Sequence, residues 1–479
     1  MQDRFEHFIN GVPTHPSSGE YFDTYDPHDE SIIAQIAKGD AADVDAAVKA
    51  AANAGEAWEA LGAIERGRIL KQFGALISER AAEIGAIESR DMGMPGQATP
   101  GIIQASAQFF DYYGGLAPSL MGEVMPTVPE KMIYTRREPY GVVGIITPWN
   151  APLNQAARSM APALAAGNTV VVKPSEWASI TTVMIGEIAK EAGVPDGIIN
   201  VVTGFGADTG APLVEHPLVS KIAFTGSIPT GAKIGEMAAR KIMPVTLELG
   251  GKSPNIVFED ADLQAAIPMA LYGFIANSGQ ICTSGTRVLV QRSIYDDFAK
   301  HIAAAAEQLP IGREATFPCL GPIANRMQYE KVLAYFDSAR AEGATILTGG
   351  TPATGDGLDN GLYIKPTVFT DVTMDMRIVR EEIFGPAGVL IPFDTEEEAI
   401  AIANDTDYGL CSGVWTQNLN RAHRVAAKIK AGTVYVNTYH DQSVDGPVGG
   451  YKKSGIGRER GMQALSQYTQ TKNVTIQFS

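Results

Sequence analysis

The chain has 479 residues, 45% of them apolar and 19% charged, an ordinary globular composition long enough for roughly three domains. A net charge of −16 argues against nucleic acid and against anionic membrane surfaces, since both are bound through a basic face. Three cysteines without paired spacing fit a reducing, cytoplasmic setting rather than a disulfide framework.

In chain order, the Met1–His7 start lacks a basic stretch followed by an apolar run, and no apolar run anywhere approaches the ~18 residues a membrane span needs. Asp40 is predicted to cap a helix through Val44, Ala47 and Val48 towards Gly55, followed by a charged helix from Ile64 to about Glu88. Lys131–Arg137 alternates weakly, as does Asn473–Phe478, which predicts two distant strands able to form a small extra sheet. From Tyr140 onward, strands are predicted at Val142–Thr147, Thr169–Val172, Ile198–Val202, Ile222–Phe224 and Val245–Glu248. Helices around Asn154–Ala165, Ala178–Ala192, Ala207–Glu215 and Thr230–Arg240 lie between them, the pattern of a doubly wound parallel sheet. A second α/β unit follows Gly251, with strands at Ile256–Phe258, Arg287–Val290, Val368–Thr370, Gly388–Phe393 and Thr433–Asn437. The fold class is therefore α/β: a doubly wound parallel-sheet unit (1–120 and 140–250), a second α/β unit (251–450) and a small extra β element (121–139 and 467–479), whose exposed edge would favour pairing with another subunit.

Chemistry concentrates at a few places. Cys282 sits among small residues in Ser278-Gly279-Gln280-Ile281-Cys282-Thr283-Ser284-Gly285, a setting that lets a substrate approach a thiol. A thiol attacks as thiolate, and a thioester formed on it needs activated water, so a carboxylate such as Glu248 in Leu247-Glu248-Leu249-Gly250-Gly251 serves both needs. A cysteine taken alone is more often a small core side chain, the reading given to Cys319 and Cys411. Asn150, after Pro148-Trp149, offers an amide to an oxyanion, although the same residue is also an ordinary turn former. Lys173-Pro174-Ser175-Glu176 closes a strand with a cation and a carboxylate suited to ribose hydroxyls; the carboxylate would repel a 2′-phosphate and so favours NAD over NADP. The Gly204-x-Gly206-x-x-x-Gly210 loop and Phe224-Thr225-Gly226-Ser227 each open a helix where phosphates bind, but the first follows the third strand rather than the first, and Ser227 also reads as a plain helix cap. Seven histidines without ligand spacing argue against a metal.

Together with Phe8-Ile9-Asn10-Gly11, Glu381-Glu382-Ile383-Phe384-Gly385-Pro386 and Gly449-Gly450-Tyr451-Lys452-Lys453-Ser454-Gly455, these motifs cover nearly the whole chain and resemble the aldehyde dehydrogenase superfamily. The resemblance implies Cys282 as nucleophile, Glu248 as general base and Asn150 as oxyanion donor. It implies Lys173 and Glu176 on the adenosine ribose, Ser227 on a phosphate, Glu382 on the nicotinamide ribose and Phe384 beside the ring. Trp149, Ser175, Gly206, Gly210, Phe224, Leu249 and Gly250 complete the implied cofactor cleft. It further implies that 1–120 with 140–250 is the dinucleotide-binding cofactor domain, 251–450 the catalytic domain and 121–139 with 467–479 a bridging β oligomerisation element, with a small-molecule aldehyde as substrate and a homodimer or homotetramer as the assembly.

The sequence departs from the family where substrate binds. Positions that are often aromatic in aldehyde dehydrogenases are Ala151, Asn154, Ala276, Gln442 and Val448 here, which predicts a roomier tunnel and a bulky apolar or aromatic aldehyde. Arg158 is the one cation in those segments, so a strongly anionic semialdehyde is disfavoured but left open. The rival readings are a CoA-acylating semialdehyde dehydrogenase, an ester hydrolase and an inactive structural homologue. Glu248 argues against the first, and Cys282, Glu248 and Asn150 together argue against the last.

Overall fold

The computed structural model describes residues 3–313 and 315–478; Met1, Gln2, Glu314 and Ser479, which include both ends of the expected domain ranges, lie outside the described residues. Five parallel strands, Val142–Ile146, Thr169–Lys173, Ile199–Val201, Val219–Thr225 and Val245–Glu248, form the heart of an eight-stranded sheet. Val142–Ile146 pairs with Thr169–Lys173 on one side and Val219–Thr225 on the other. The chain therefore winds outward in both directions from this strand, and its carboxyl end is the switch point where such sheets bind ligands.

Every side chain of the central strands is buried, and alternate residues serve opposite faces. Val143, Ile145, Val170 and Val172 pack with Leu70, Phe73, Phe110 and Met160, while Val142, Ile146, Val171 and Phe224 pack with Val44, Ala47, Leu213 and Ile234. Asp40 caps the helix Ala41–Ala60 in a reciprocal box with Asp43, and that helix continues past Gly55. The expected Ile64–Glu88 helix is two, Gly62–Glu79 and Ala81–Met92, because Arg80 leaves the helical region at φ −99°, ψ 13°.

The sheet is not wholly parallel. The hairpin His7–Ile9 and Val12–Thr14 extends one edge antiparallel, and Gly455–Ile456 closes the other beside Val245–Glu248.

The second sheet has seven strands, with Pro254–Val257 between Arg287–Gln291 and Cys411–Trp415. Cys411–Trp415 and the edge strand Thr345–Thr348 add to those expected from the sequence. A third sheet joins Lys131–Pro139 antiparallel to Thr469–Gln477 in register Pro139 with Thr469, and Val124–Met125 takes the other edge. No helix among the described residues is long and apolar enough to cross a membrane.

Candidate active site

Cys282 lies between the helix Leu263–Ile275 and the strand Arg287–Gln291, in a loop whose backbone is held in an unusual path. Asn277, Ser278 and Gly279 are successive left-handed residues at φ 49°, 55° and 74°. Two non-glycine residues in that region are strained, so other contacts must fix them. Ser278 Oγ donates to the Gly321 carbonyl at 2.7 Å, and buried Gln280 donates to Asn277 O at 3.0 Å while accepting from Ala324 N at 2.9 Å. Gly279 is required, because a Cβ there would stand 2.0 Å from the Gly385 carbonyl oxygen. Gly251 has the same role opposite: its Cβ would meet Cys282 O at 2.4 Å.

The two units clasp at this loop. Asn150 Nδ2 donates to Gln280 O at 2.7 Å, and Asn277 Nδ2 donates back to Asn150 O at 2.8 Å. One N–H of the Asn150 amide is thereby used and the second remains for a ligand in the cavity it lines.

Glu248 ends its strand buried, with Oε1 unpartnered. Burial, then the Glu459 carboxylate, pushes its pKa up to about 8, while Arg158 opposes the rise. Arg158 forms a buried ion pair with Glu459 and donates to Thr225 Oγ1 at 3.0 Å; Glu459 also accepts from Ser159 Oγ at 2.7 Å. Burial raises the Cys282 thiol to about 11, with Arg158 again pulling the other way. The thiol is therefore held protonated at neutral pH and needs a proton acceptor to become a nucleophile.

Cys282, Glu248, Asn150 and Arg158 line one cavity of about 310 Å³. Ala151, Asn154, Ala276, Gln442 and Val448 line it too. Sequence reading missed Met94, Ile102, Phe317 and Tyr272. Cys319 is buried as expected and also lines this cavity. The walls are not free of rings, since Tyr272, Phe317 and His440 contribute. The cavity also holds a second arginine, Arg460, where the substrate segments alone gave one.

Beyond the cavity, the remaining predicted residues lie at the carboxyl ends of the first sheet or on a loop of the second. Lys173 is buried and donates to Glu176 Oε2 at 3.2 Å. Ser175 Oγ accepts from Trp177 N at 3.3 Å. Ser227 caps the helix Ile228–Arg240 at the switch point. Trp149 and Phe384 meet edge to face with centroids 5.4 Å apart, and Phe384 itself has φ 59°, a strained value for an aromatic residue. Glu382 crosses from the second unit to accept Gly251 N at 2.9 Å and crowds Gly250, whose Cβ would meet its carboxylate at 2.4 Å. The Phe224 ring covers Gly226, and the Leu249 side chain covers Gly231. Gly206 and Gly210 begin and end a short π-helical turn, with open space within 4 Å of each missing Cβ. Thus the predicted cofactor residues gather at the carboxyl ends of the first-sheet strands and on the facing loop of the second unit. Among the described residues no cluster of three or more His, Cys, Asp or Glu could hold a metal ion.

The fold matches those of known proteins over nearly its whole length. An aldehyde dehydrogenase from Bacillus cereus, solved as an NAD+ complex, is 43% identical with a TM-score of 0.97, the match covering 99% of this chain and 97% of that one. An indole-3-acetaldehyde dehydrogenase solved with NAD+ is 39% identical at TM-score 0.97, covering 100% and 97%. A betaine aldehyde dehydrogenase from Staphylococcus aureus is 37% identical at TM-score 0.96, covering 98% and 97%. The model of the aldehyde dehydrogenase family matches residues 14–474, and with the fold and cavity described above the chain belongs to that family.

Proposed function

We propose that this chain oxidises an aldehyde to its carboxylic acid with NAD, through a covalent intermediate on Cys282. The observation that carries the reading is the convergence of Cys282, Glu248 and Asn150 on one cavity beside the switch point of the first sheet. Bound NAD supplies the acceptor for the hydride that leaves the aldehyde carbon. The residues fit that group: Lys173 and Glu176 would suit ribose hydroxyls, Ser227 and the helix it caps would suit a phosphate, and Glu382 with Phe384 and Trp149 would hold the nicotinamide end.

Cys282 Sγ adds to the carbonyl carbon as its proton leaves to Glu248 or water. The Asn150 amide and the Cys282 backbone N–H receive the oxyanion. Loss of hydride leaves a thioester on Sγ. Once any proton taken from Cys282 has passed from Glu248 to solvent, Glu248 takes a proton from water, the hydroxide attacks the thioester, the acid leaves, and the proton held on Glu248 returns to the departing Cys282 Sγ. The overall balance is aldehyde, NAD+ and water to acid, NADH and a proton. Glu248 supports hydrolysis over transfer to CoA.

The substrate reading is a bulky apolar or aromatic aldehyde. Met94, Ile102, Ile275, Phe317 and Val448 make an apolar wall, and filling it yields roughly 25 cal/mol per Å² buried, which acetaldehyde leaves unused. The exposed strand Thr469–Gln477, with its outer edge unpaired, supports a homodimer or homotetramer, and three free cysteines support a cytoplasmic setting. An aldehyde panel with NAD and with NADP tests the reading. The expected result is higher kcat/KM for aromatic aldehydes with NAD; acetaldehyde as best substrate would overturn the pocket assignment, and no NADH formation with any aldehyde would overturn the activity.

A further inference from the structure

Two arginines line the substrate cavity, and their charges are used differently. Arg158 is committed, paired with Glu459 and bonded to Thr225. Arg460 has no carboxylate within 4.0 Å among the described residues. Its Nη1 reaches only the Gln442 carbonyl at 3.5 Å, its guanidinium lies 5.4 Å from the Phe109 ring centroid, and its Nε is buried without an acceptor. Gln442, on the same wall, also has its Nε2 buried and unpartnered. Unpaired buried donors are costly unless something fills them.

The backbone adds an independent observation. Arg460 stands at φ 60°, ψ 168°, a region that suits glycine and strains any residue with a Cβ. The flanks impose this path: Glu459 and Val448 exchange two backbone hydrogen bonds of 2.7 Å, and Gly461 N donates to Val444 O at 2.9 Å. Glycine would satisfy that path without strain, so the arginine is accounted for by its side chain. Charge points the same way. Glu459 cancels Arg158, burial raises Glu248 towards its neutral form, and burial lowers His440 to about 4 and keeps it neutral. One positive charge is left over, Arg460.

We propose that Arg460, with the Gln442 amide, is a specificity residue that binds an anionic group carried by the aldehyde away from its carbonyl. The substrate class is then an apolar or aromatic body bearing both an aldehyde and a carboxylate. This inference rests on the aldehyde-oxidising reading above and narrows its substrate.

The test compares 4-formylbenzoate with 4-formylbenzamide, which match in shape and differ in charge. In the wild-type protein the ratio of kcat/KM, acid over amide, should exceed about 10, and in Arg460→Met it should fall to about 1, with Arg460→Lys between them. Thermal melting of each variant shows whether it folds. Calorimetric binding of 4-formylbenzoate to Cys282→Ala, with and without Arg460→Met, gives a readout free of turnover, and about a tenfold weaker Kd is expected with the second substitution. If Arg460 served only to bias Cys282 or Glu248, both aldehydes would slow equally, the ratio would stand, and the inference would fall while the oxidation reading survived. A wild-type ratio near 1, or equal binding by both proteins, would also overturn it. NADH from neither aldehyde would overturn the oxidation reading and this inference together.

Discussion

The two α/β units hold their functional side chains by different means. In the first, Asn150, Lys173, Ser227 and Glu248 stand at or just beyond the ends of regular buried strands, so the sheet itself sets their positions. In the second, Cys282 rides a loop of three left-handed residues pinned by Gln280, Ser278 and the Asn150 clasp. The proposed binding surface is thus built from rigid repeating structure, and the proposed nucleophile stands on a strained loop that depends on the other unit for its anchor. Rigid strands tolerate side-chain changes at their ends with local consequences, whereas a pinned loop transmits a small displacement to the nucleophile.

The largest effect should come from removing the reacting atom. Cys282→Ala is expected to lower aldehyde oxidation by about 10⁴-fold or more while NAD binding, followed by fluorescence, persists. Activity near wild type would break the contrast by making the loop incidental.

The loop geometry itself comes next. Gly279→Ala puts a Cβ against the Gly385 carbonyl and should cost about 10²-fold in kcat with a lower Tm, measured by steady-state kinetics and melting. A comparable loss from Ser227→Ala, at a strand end, would erase the distinction between the units.

A smaller, graded effect is expected with pH. Glu248 must give up a proton held to about 8 by burial and Glu459, so hydrolysis-limited turnover should rise up to about tenfold per pH unit below that value and level above it. Glu459→Gln removes the repelling carboxylate and frees the Arg158 charge, which should move the inflection to lower pH. An unmoved inflection would assign it to another group. The smallest effect is at the ribose end, where Glu176→Gln should narrow the NAD over NADP preference by several-fold, as kcat/KM with each cofactor would reveal.

The same contrast explains what was legible in the sequence. The five strands of the first sheet could be read because both faces are buried, so each is a β-branched run between helices. Cys411–Trp415 escaped because its close packing requires a glycine: a Cβ at Gly413 would meet Asn255 Oδ1 at 2.3 Å, and Cys-Ser-Gly-Val-Trp carries no strand pattern. Cys282 and Glu248 were legible as motifs. The Asn150–Gln280 and Asn277–Asn150 bonds were not, since residues 130 and 127 positions apart meet only through packing. Arg460 was missed for the same reason, and its strained backbone has no signature in composition.

The most direct test of covalent catalysis is rapid-mixing kinetics of Glu248→Gln with NAD and an aromatic aldehyde, followed by mass spectrometry of the quenched protein. A neutral amide cannot take the proton from water, so a burst of about one NADH per active site should precede slow turnover, with an acyl adduct on the peptide carrying Cys282. Equal slowing without a burst, and an unmodified Cys282, would contradict the account.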